Sequence, residues 1–306
     1  MFIAFYCVML VLLMLYLDYS SHNYDKKTNY FAAMNDKVAM LKSAHSPKII
    51  LIGGSNVAFG INSDLLNQAF NRPVVNLAMH AGIGLNFLFN ITLEHLNPND
   101  IVVVVPEYEH YQGDLIYGDL ALLDTIYFYP AGVKYLMECR QIVATLEPNL
   151  GRAKNVREHY IKYLFGKGAT AIEVSDIYHR NAFNGYGDVI SHLNKAKTDF
   201  VCAGMGHVFN DSAFTAIEKF KYKVVKKGAK FILLYPCIPE SRYIKIQAPL
   251  EILAQKMADH KLITKTLPFK YVFPDNYFFD TQYHLNSVGR NERTYKVIED
   301  IQGIIY

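Results

Sequence analysis

The chain has 306 residues, 51% of them hydrophobic and 19% charged, which excludes a disordered polypeptide and leaves room for one large α/β domain or two small ones. Its formal net charge is only +3 and the clusters "VVKKGAK" and "DKK" are ordinary solvated stretches, which argues against nucleic acid as a partner. The four cysteines, Cys7, Cys139, Cys202 and Cys237, lack CxxC spacing, which argues against a zinc site or a disulfide framework and leaves either free thiols or one bridge among the last three.

Residues 1–17, "MFIAFYCVMLVLLMLYL", are almost wholly apolar. As a helix they would span roughly 25 Å at 1.5 Å per residue, slightly short of a hydrocarbon core of about 30 Å. Tyr16 and Tyr19 lie at the far end, as interfacial aromatics do. A cleaved signal peptide would want a positive n-region and a small-residue cleavage site, and neither is present; a core helix would carry a polar stripe, and none interrupts the run. The expectation is a transmembrane anchor over 1–17. Lys26 and Lys27 follow it, which by the positive-inside rule leans towards a cytoplasmic domain.

Residues 18–47 read as a polar stalk, or an embrace of the main domain, with a short helix in "YFAAMNDKVAMLKSA". From residue 48 strands alternate with helices. "KIILIGG", "PVVNLAM" and "DIVVVVPEY" are strands separated by the helices "NSDLLNQAF", with Asn62 or Ser63 as its cap, and "LNFLFNITLEHL". A fourth strand, "GAKFILLYPCIP", follows the helix "AFTAIEKFKYKVVKK", and "SVGRNERTYKVIEDIQGII" closes the chain as a helix. Uninterrupted Val/Ile/Leu runs mark strands buried on both faces, the property of a parallel sheet covered by helices. The stretch at about 113–205 is too long for a crossover. Its patterns "AGVKYLMECRQIVATL" and "VREHYIKYLFGK" predict a helical cap over the carboxyl edge of the sheet, with the polar loop "YHRNAFNGYGD" (Arg180, Asn184, Asp188) as its lip.

Open α/β sheets bind ligands outside the carboxyl ends of their strands, so chemistry is expected in "GGSN", "MHAGIG" and "PEYEHY". Ser55 is the candidate nucleophile, although Gly53, Gly54 and Ser55 would also serve as a plain turn and cap. Its own N–H and one from Gly82 or Gly84 could stabilise an oxyanion. "FFDTQYHLNSVGRNERT" places Asp280 and His284 just before the last helix, where the histidine could act as base to Ser55 and the carboxylate orient its ring. His80, Glu107, Tyr108 and Arg180 are candidate substrate contacts, each equally readable as a structural loop residue. The eleven histidines are scattered without an H-E-x-x-H motif, there is no P-loop, and "LIGGSNVAFG" does not satisfy G-x-G-x-x-G, so no metal or cofactor is expected.

This arrangement resembles the SGNH (GDSL-type) hydrolase superfamily, over residues 47–111 and 228–303. "IGGSN" puts Ser55 at the nucleophile position, "VVNLAMHAG" puts Gly82 in the oxyanion hole, and "FDTQYHLNSVG" carries Asp280 and His284. The resemblance implies a three-layer α/β/α, flavodoxin-like domain over 48–306. Its "YHLNSVGRNERT" ending looks like membrane-anchored, envelope-associated members, which work outside the cytoplasm; this pulls against the lysine signal and prevails. Three departures stand out: Gly54 replaces the usual Asp, "VPEYEHY" replaces the block that supplies an oxyanion-hole Asn, and Asp280 and His284 are four residues apart where three is usual. Asn56 is the candidate replacement donor. The implied function is a serine esterase or O-acyltransferase acting on an acyl ester, plausible for an envelope glycan, with a polytopic membrane acyltransferase as a partner. A non-catalytic binding or assembly module on the same fold is the alternative.

Overall fold

The computed structural model describes residues 27–143, 175–262, 264 and 266–305. The expected anchor over 1–17 and the segment "VREHYIKYLFGK" lie outside them. Among the described residues no helix is long and apolar enough to cross a membrane.

The centre is a four-stranded sheet of β1 (Ile49–Gly53), β2 (Val74–Asn76), β3 (Ile101–Val105) and β4 (Lys230–Leu233), ordered β2-β1-β3-β4 with every ladder parallel. All residues of β1, β2 and β3 are buried, as their unbroken aliphatic runs require. Helix α1 (Ala33–Ser43) buries Met34, Val38 and Leu41, a single face at helical spacing. Residues 30–43 therefore embrace the core rather than form a free stalk. After α2 (Ser55–Ala58) come α3 (Ser63–Phe70), packed on β2, and α4 (Leu85–Glu94), packed on β1. Helix α5 (Leu120–Phe128) precedes α6 (Asp211–Lys226), which packs on β4 and touches α4.

Three expectations are corrected. The fourth strand is broken: β4 ends at Leu233, and Ile238–Pro239 form β5, paired in parallel with β6 (Val272–Phe273) in a separate two-stranded sheet. Proline cannot donate to a central ladder, and Pro236 stands where the run leaves the main sheet. Helices α7 (Glu240–Lys245) and α8 (Gln247–Asp259) fill the following stretch, for which no element was expected. The described part of the 113–205 insertion is helical only on its N-terminal side; residues 175–205 are irregular apart from a short 3-10 turn at Arg180–Ala182. The final helix, α9, runs Ser287–Ile305, as the sequence pattern predicts. Cys139, Cys202 and Cys237 are free thiols.

Candidate active site

The strand order reverses between β1 and β3, so the crevice at their carboxyl ends is the topological switch point at which open α/β sheets bind ligands. Ser55 follows β1 there and Glu107 follows β3, with Gly53 in register with Val105. The glycines of "GGS" permit the close approach. A Cβ on Gly53 would lie 2.7 Å from the Val105 carbonyl oxygen, and one on Gly54 would lie 2.5 Å from Glu107 Oε1. Glu107 thus delivers its carboxylate into the space a side chain at position 54 would fill.

That carboxylate is heavily engaged. Glu107 Oε1 accepts from Ser55 Oγ at 3.1 Å, from the Asn56 N–H at 2.8 Å and, more weakly, from Asn56 Nδ2 at 3.4 Å. Behind it, the Glu107 N–H donates to His110 Nδ1 at 2.9 Å, so the other ring nitrogen carries the proton and donates to the Ala81 carbonyl at 3.1 Å. His110 is buried, and burial pushes its pKa down and keeps the ring neutral. The final helix holds the same turn from the opposite side. Arg293, fully buried, donates through Nη1 to the Asn56 carbonyl and through Nη2 to Asn56 Oδ1 at 2.9 Å.

The second half of the site is the loop before α9. The antiparallel bridge between Phe278 and Leu285 pinches it into a tight hairpin-like turn. Within the turn His284 Nδ1 and Asp280 Oδ1 are 2.7 Å apart, which fixes the proton on Nδ1 and leaves Nε2 as the nitrogen free to act as a base. The His284 ring stacks on Phe59 with centroids 3.8 Å apart and planes 7° from parallel. Tyr178 completes the group: its hydroxyl donates to Asp280 Oδ2 at 2.5 Å and lies 3.3 Å from His284 Nδ1. Burial opposes ionisation of Asp280, but the bonds from His284 and Tyr178 outweigh it and hold the carboxyl below its ordinary value.

Ser55, Asp280 and His284 line one cavity of about 500 Å³, together with Tyr178 and His80. No hydrogen bond joins Ser55 to His284, because the hydroxyl points at Glu107. Ser55 opens α2, so its N–H is among the first-turn donors that a helix leaves without an intrahelical partner. The Gly82 N–H donates to His80 Nδ1 at 3.0 Å, and His80 itself is exposed at the rim. Among the described residues no group of three or more His, Cys, Asp or Glu side chains converges as a metal site requires.

Three expected site residues are placed elsewhere. Asn56 is fully buried, and both amide protons go to Val105 and Glu107, so it does not offer a donor to the cavity. Tyr108 lies in the core, its N–H donating to Tyr283 Oη and its ring beneath the Arg242 guanidinium. Arg180 forms a bidentate pair with Asp36, 2.7 Å through each nitrogen, and so fastens the insertion to α1. The expected polar lip is likewise a buried joint. Asp188 accepts from the Ser63 N–H and hydroxyl, Asn76 Nδ2 and Arg290 Nη2, and Asn184 braces it. Glu107 sits directly beneath Ser55, as a partner of the turn rather than a lining group. Sequence reasoning passed over Tyr178, Phe59 and Tyr30. Tyr178 opens the "YHRNAFNGYGD" loop, but nothing in its spacing distinguishes it from the 22 other tyrosines.

No known protein family matches the chain, and no curated protein is significantly similar to it.

Proposed function

We propose that the chain is a divergent SGNH (GDSL-type) serine esterase or O-acyltransferase, with its sheet as the middle of a three-layer α/β/α domain. The observation that carries this reading is the convergence of Ser55 with an Asp280-oriented His284 on one cavity at the switch point of a parallel sheet. In this reading the Ser55 hydroxyl exchanges Glu107 for His284 Nε2 when substrate binds, as catalytic hydrogen bonds often form fully only in the substrate complex. Ser55 Oγ then attacks the ester carbonyl while its proton passes to His284 Nε2, and Asp280 stabilises the imidazolium. The oxyanion takes the Ser55 N–H and, once the exposed His80 ring has turned away, the Gly82 N–H. Collapse breaks the bond to the alcohol, which leaves with the proton from His284. Water, or an acceptor hydroxyl, then cleaves the acyl-serine by the same steps in reverse; water makes an esterase, and an acceptor hydroxyl makes a transferase. Glu107 tethers the nucleophile turn and is not the base.

The resemblance extends the proposal to an extracytoplasmic enzyme anchored by residues 1–17, an envelope glycan as the alcohol half, and a polytopic membrane acyltransferase as partner. A second reading, a binding or assembly module that does no chemistry, is favoured by the Ser55–Glu107 bond and by the occupied Gly82 N–H. A fluorophosphonate probe separates the two. The enzyme reading expects covalent labelling of the wild type, none in Ser55→Ala, and labelling slowed by about a hundredfold or more in His284→Ala. A folded wild type that takes no label supports the binding module.

A further inference from the structure

The cavity contains more aromatic carbon than polar chemistry. Three of its walls are tyrosines, and each has its hydroxyl committed to the protein. Tyr30 Oη donates to the Met79 carbonyl at 3.0 Å, Tyr178 to Asp280, and Tyr283 to Glu109 Oε2 at 2.6 Å. What these rings turn towards the cavity is carbon. Much of the remaining polar lining is also engaged within the protein. Thr281 Oγ1 accepts from the N–H groups of Tyr283 and His284, both at 3.2 Å. Gln282 accepts from the Ala203 N–H at 2.7 Å through Oε1 and reaches Glu109 with Nε2 at 3.4 Å. Both Asp280 oxygens are occupied. The polar lining not fully engaged in this way comes down to the reacting pair, the imidazole of His80 and single protons on Thr281 and Gln282.

The other lining side chains are Phe31, Phe59, Met79, Phe200 and Val201, the last 93% exposed at the mouth. No lysine or arginine lines the cavity among the described residues. A sugar ring held there would leave most of its hydroxyls without partners, and burying an unpaired hydroxyl is unfavourable. A phosphate would find no cation.

We infer that this cavity is an acyl pocket: the half of the ester that enters it is an uncharged hydrocarbon chain longer than acetyl, and the alcohol half stays outside the mouth. The pocket is built from segments outside the strand framework. Tyr30 and Phe31 come from the segment before α1, Tyr178 from the insertion, and Phe200 and Val201 from its irregular end. Ring packing joins them, with Tyr30 5.9 Å from Tyr178 and Tyr178 5.7 Å from Phe59, centroid to centroid. Chain selectivity is therefore set by these inserted segments and not by the sheet.

This inference rests on the serine-enzyme reading, and the test separates the two. The full-length protein, reconstituted in lipid nanodiscs, is given p-nitrophenyl acetate, butyrate and hexanoate at concentrations where each is monomeric, alongside fluorophosphonate labelling. Each methylene moved from water to an apolar site contributes roughly a fourfold preference. The expected result is kcat/KM at least about tenfold higher for hexanoate than for acetate, with Phe31→Ala lowering that ratio. Labelling at Ser55 with acetate turned over as fast as hexanoate overturns the acyl pocket and leaves the serine enzyme standing. No labelling and no turnover of any ester overturns both.

Discussion

Tyr178 shows how much of this site depends on one side chain outside the sheet framework. Its hydroxyl gives Asp280 a second donor, so the carboxylate is held on both oxygens, one by His284 and one by the insertion. Tyr178 is thereby a positioning residue that acts through Asp280. In Tyr178→Phe the ester-hydrolysis kcat is expected to fall by about tenfold, the loss of one hydrogen bond to a charged group. A pH readout separates this from a merely structural effect. The folded Asp280 carboxyl is held below its ordinary value, so its contribution to stability is complete above the unfolded pKa of about 3.9 and is lost as pH falls through the lowered folded value. Removing Tyr178 takes away one of the causes of that lowering. The urea midpoint of the variant should therefore fall less steeply below about pH 4 than that of the wild type; equal slopes would remove Tyr178 from the charge network.

Helix α1 acts as a strap across the carboxyl edge of β2. Lys37 on α1 is fully buried, donates to the carbonyls of Asn76 at 2.8 Å and Gly187 at 2.5 Å, and lies 4.4 Å from the centre of the Phe183 ring. It thereby joins the N-terminal segment, strand β2 and the insertion at one point, while Arg180 and Asp36 make a second joint nearby. Lys37→Met keeps the apolar stem and leaves both carbonyls unsatisfied, so thermal or urea unfolding should show a loss of about 2 kcal/mol. Burial pulls the Lys37 ammonium down to about 7, against about 10.4 in an unfolded chain. Between those values the unfolded state holds a proton that the folded state has released, so this lysine makes stability rise with pH across the interval. The rise between pH 7 and about 9 should be smaller in Lys37→Met, as urea midpoints at the two pH values would report.

Long-range packing also sets the response to acid. His192 lies between Phe59 and Phe279, with centroids 4.8 and 5.4 Å away, and its Nε2 bonds the Leu285 carbonyl at 2.9 Å. It ties the insertion to the residue that ends α2 and to the turn before α9. Burial drives its pKa down to about 4, with the His284 and Arg290 charges adding to the effect. An unfolded histidine takes its proton at about 6.5, so acidification favours the unfolded chain progressively from about pH 6.5 until the folded His192 titrates. His192→Phe should flatten the fall of the urea midpoint between pH 6.5 and about 4.5. A slope unchanged from the wild type would assign the acid response to other groups, His110 first among them.

The sequence by itself determined what depends on local pattern. Aliphatic runs buried on both faces made β1, β2 and β3 legible, and helical spacing made α9 legible from its first residue to Ile305. The rule that ligands gather at strand ends directed attention to Ser55, the Asp/His pair before the last helix to Asp280 and His284, and all three line one cavity. Local pattern was silent where a polar group's partner is far away in the chain. Asn56 looks like a spare donor until Val105 and Glu107, 49 and 51 residues on, take its amide protons. Arg180 looks like a substrate contact until Asp36, 144 residues back, claims its guanidinium. Tyr178 looks like any other loop tyrosine until Asp280, 102 residues on, receives its hydroxyl. Hydrophobic burial follows a repeat that spacing records, whereas a hydrogen bond depends on which two groups the folded chain brings within about 3 Å. For that reason the strands could be read from the sequence, and the assignment of each polar side chain to the cavity or to the frame was decided only by the three-dimensional structure.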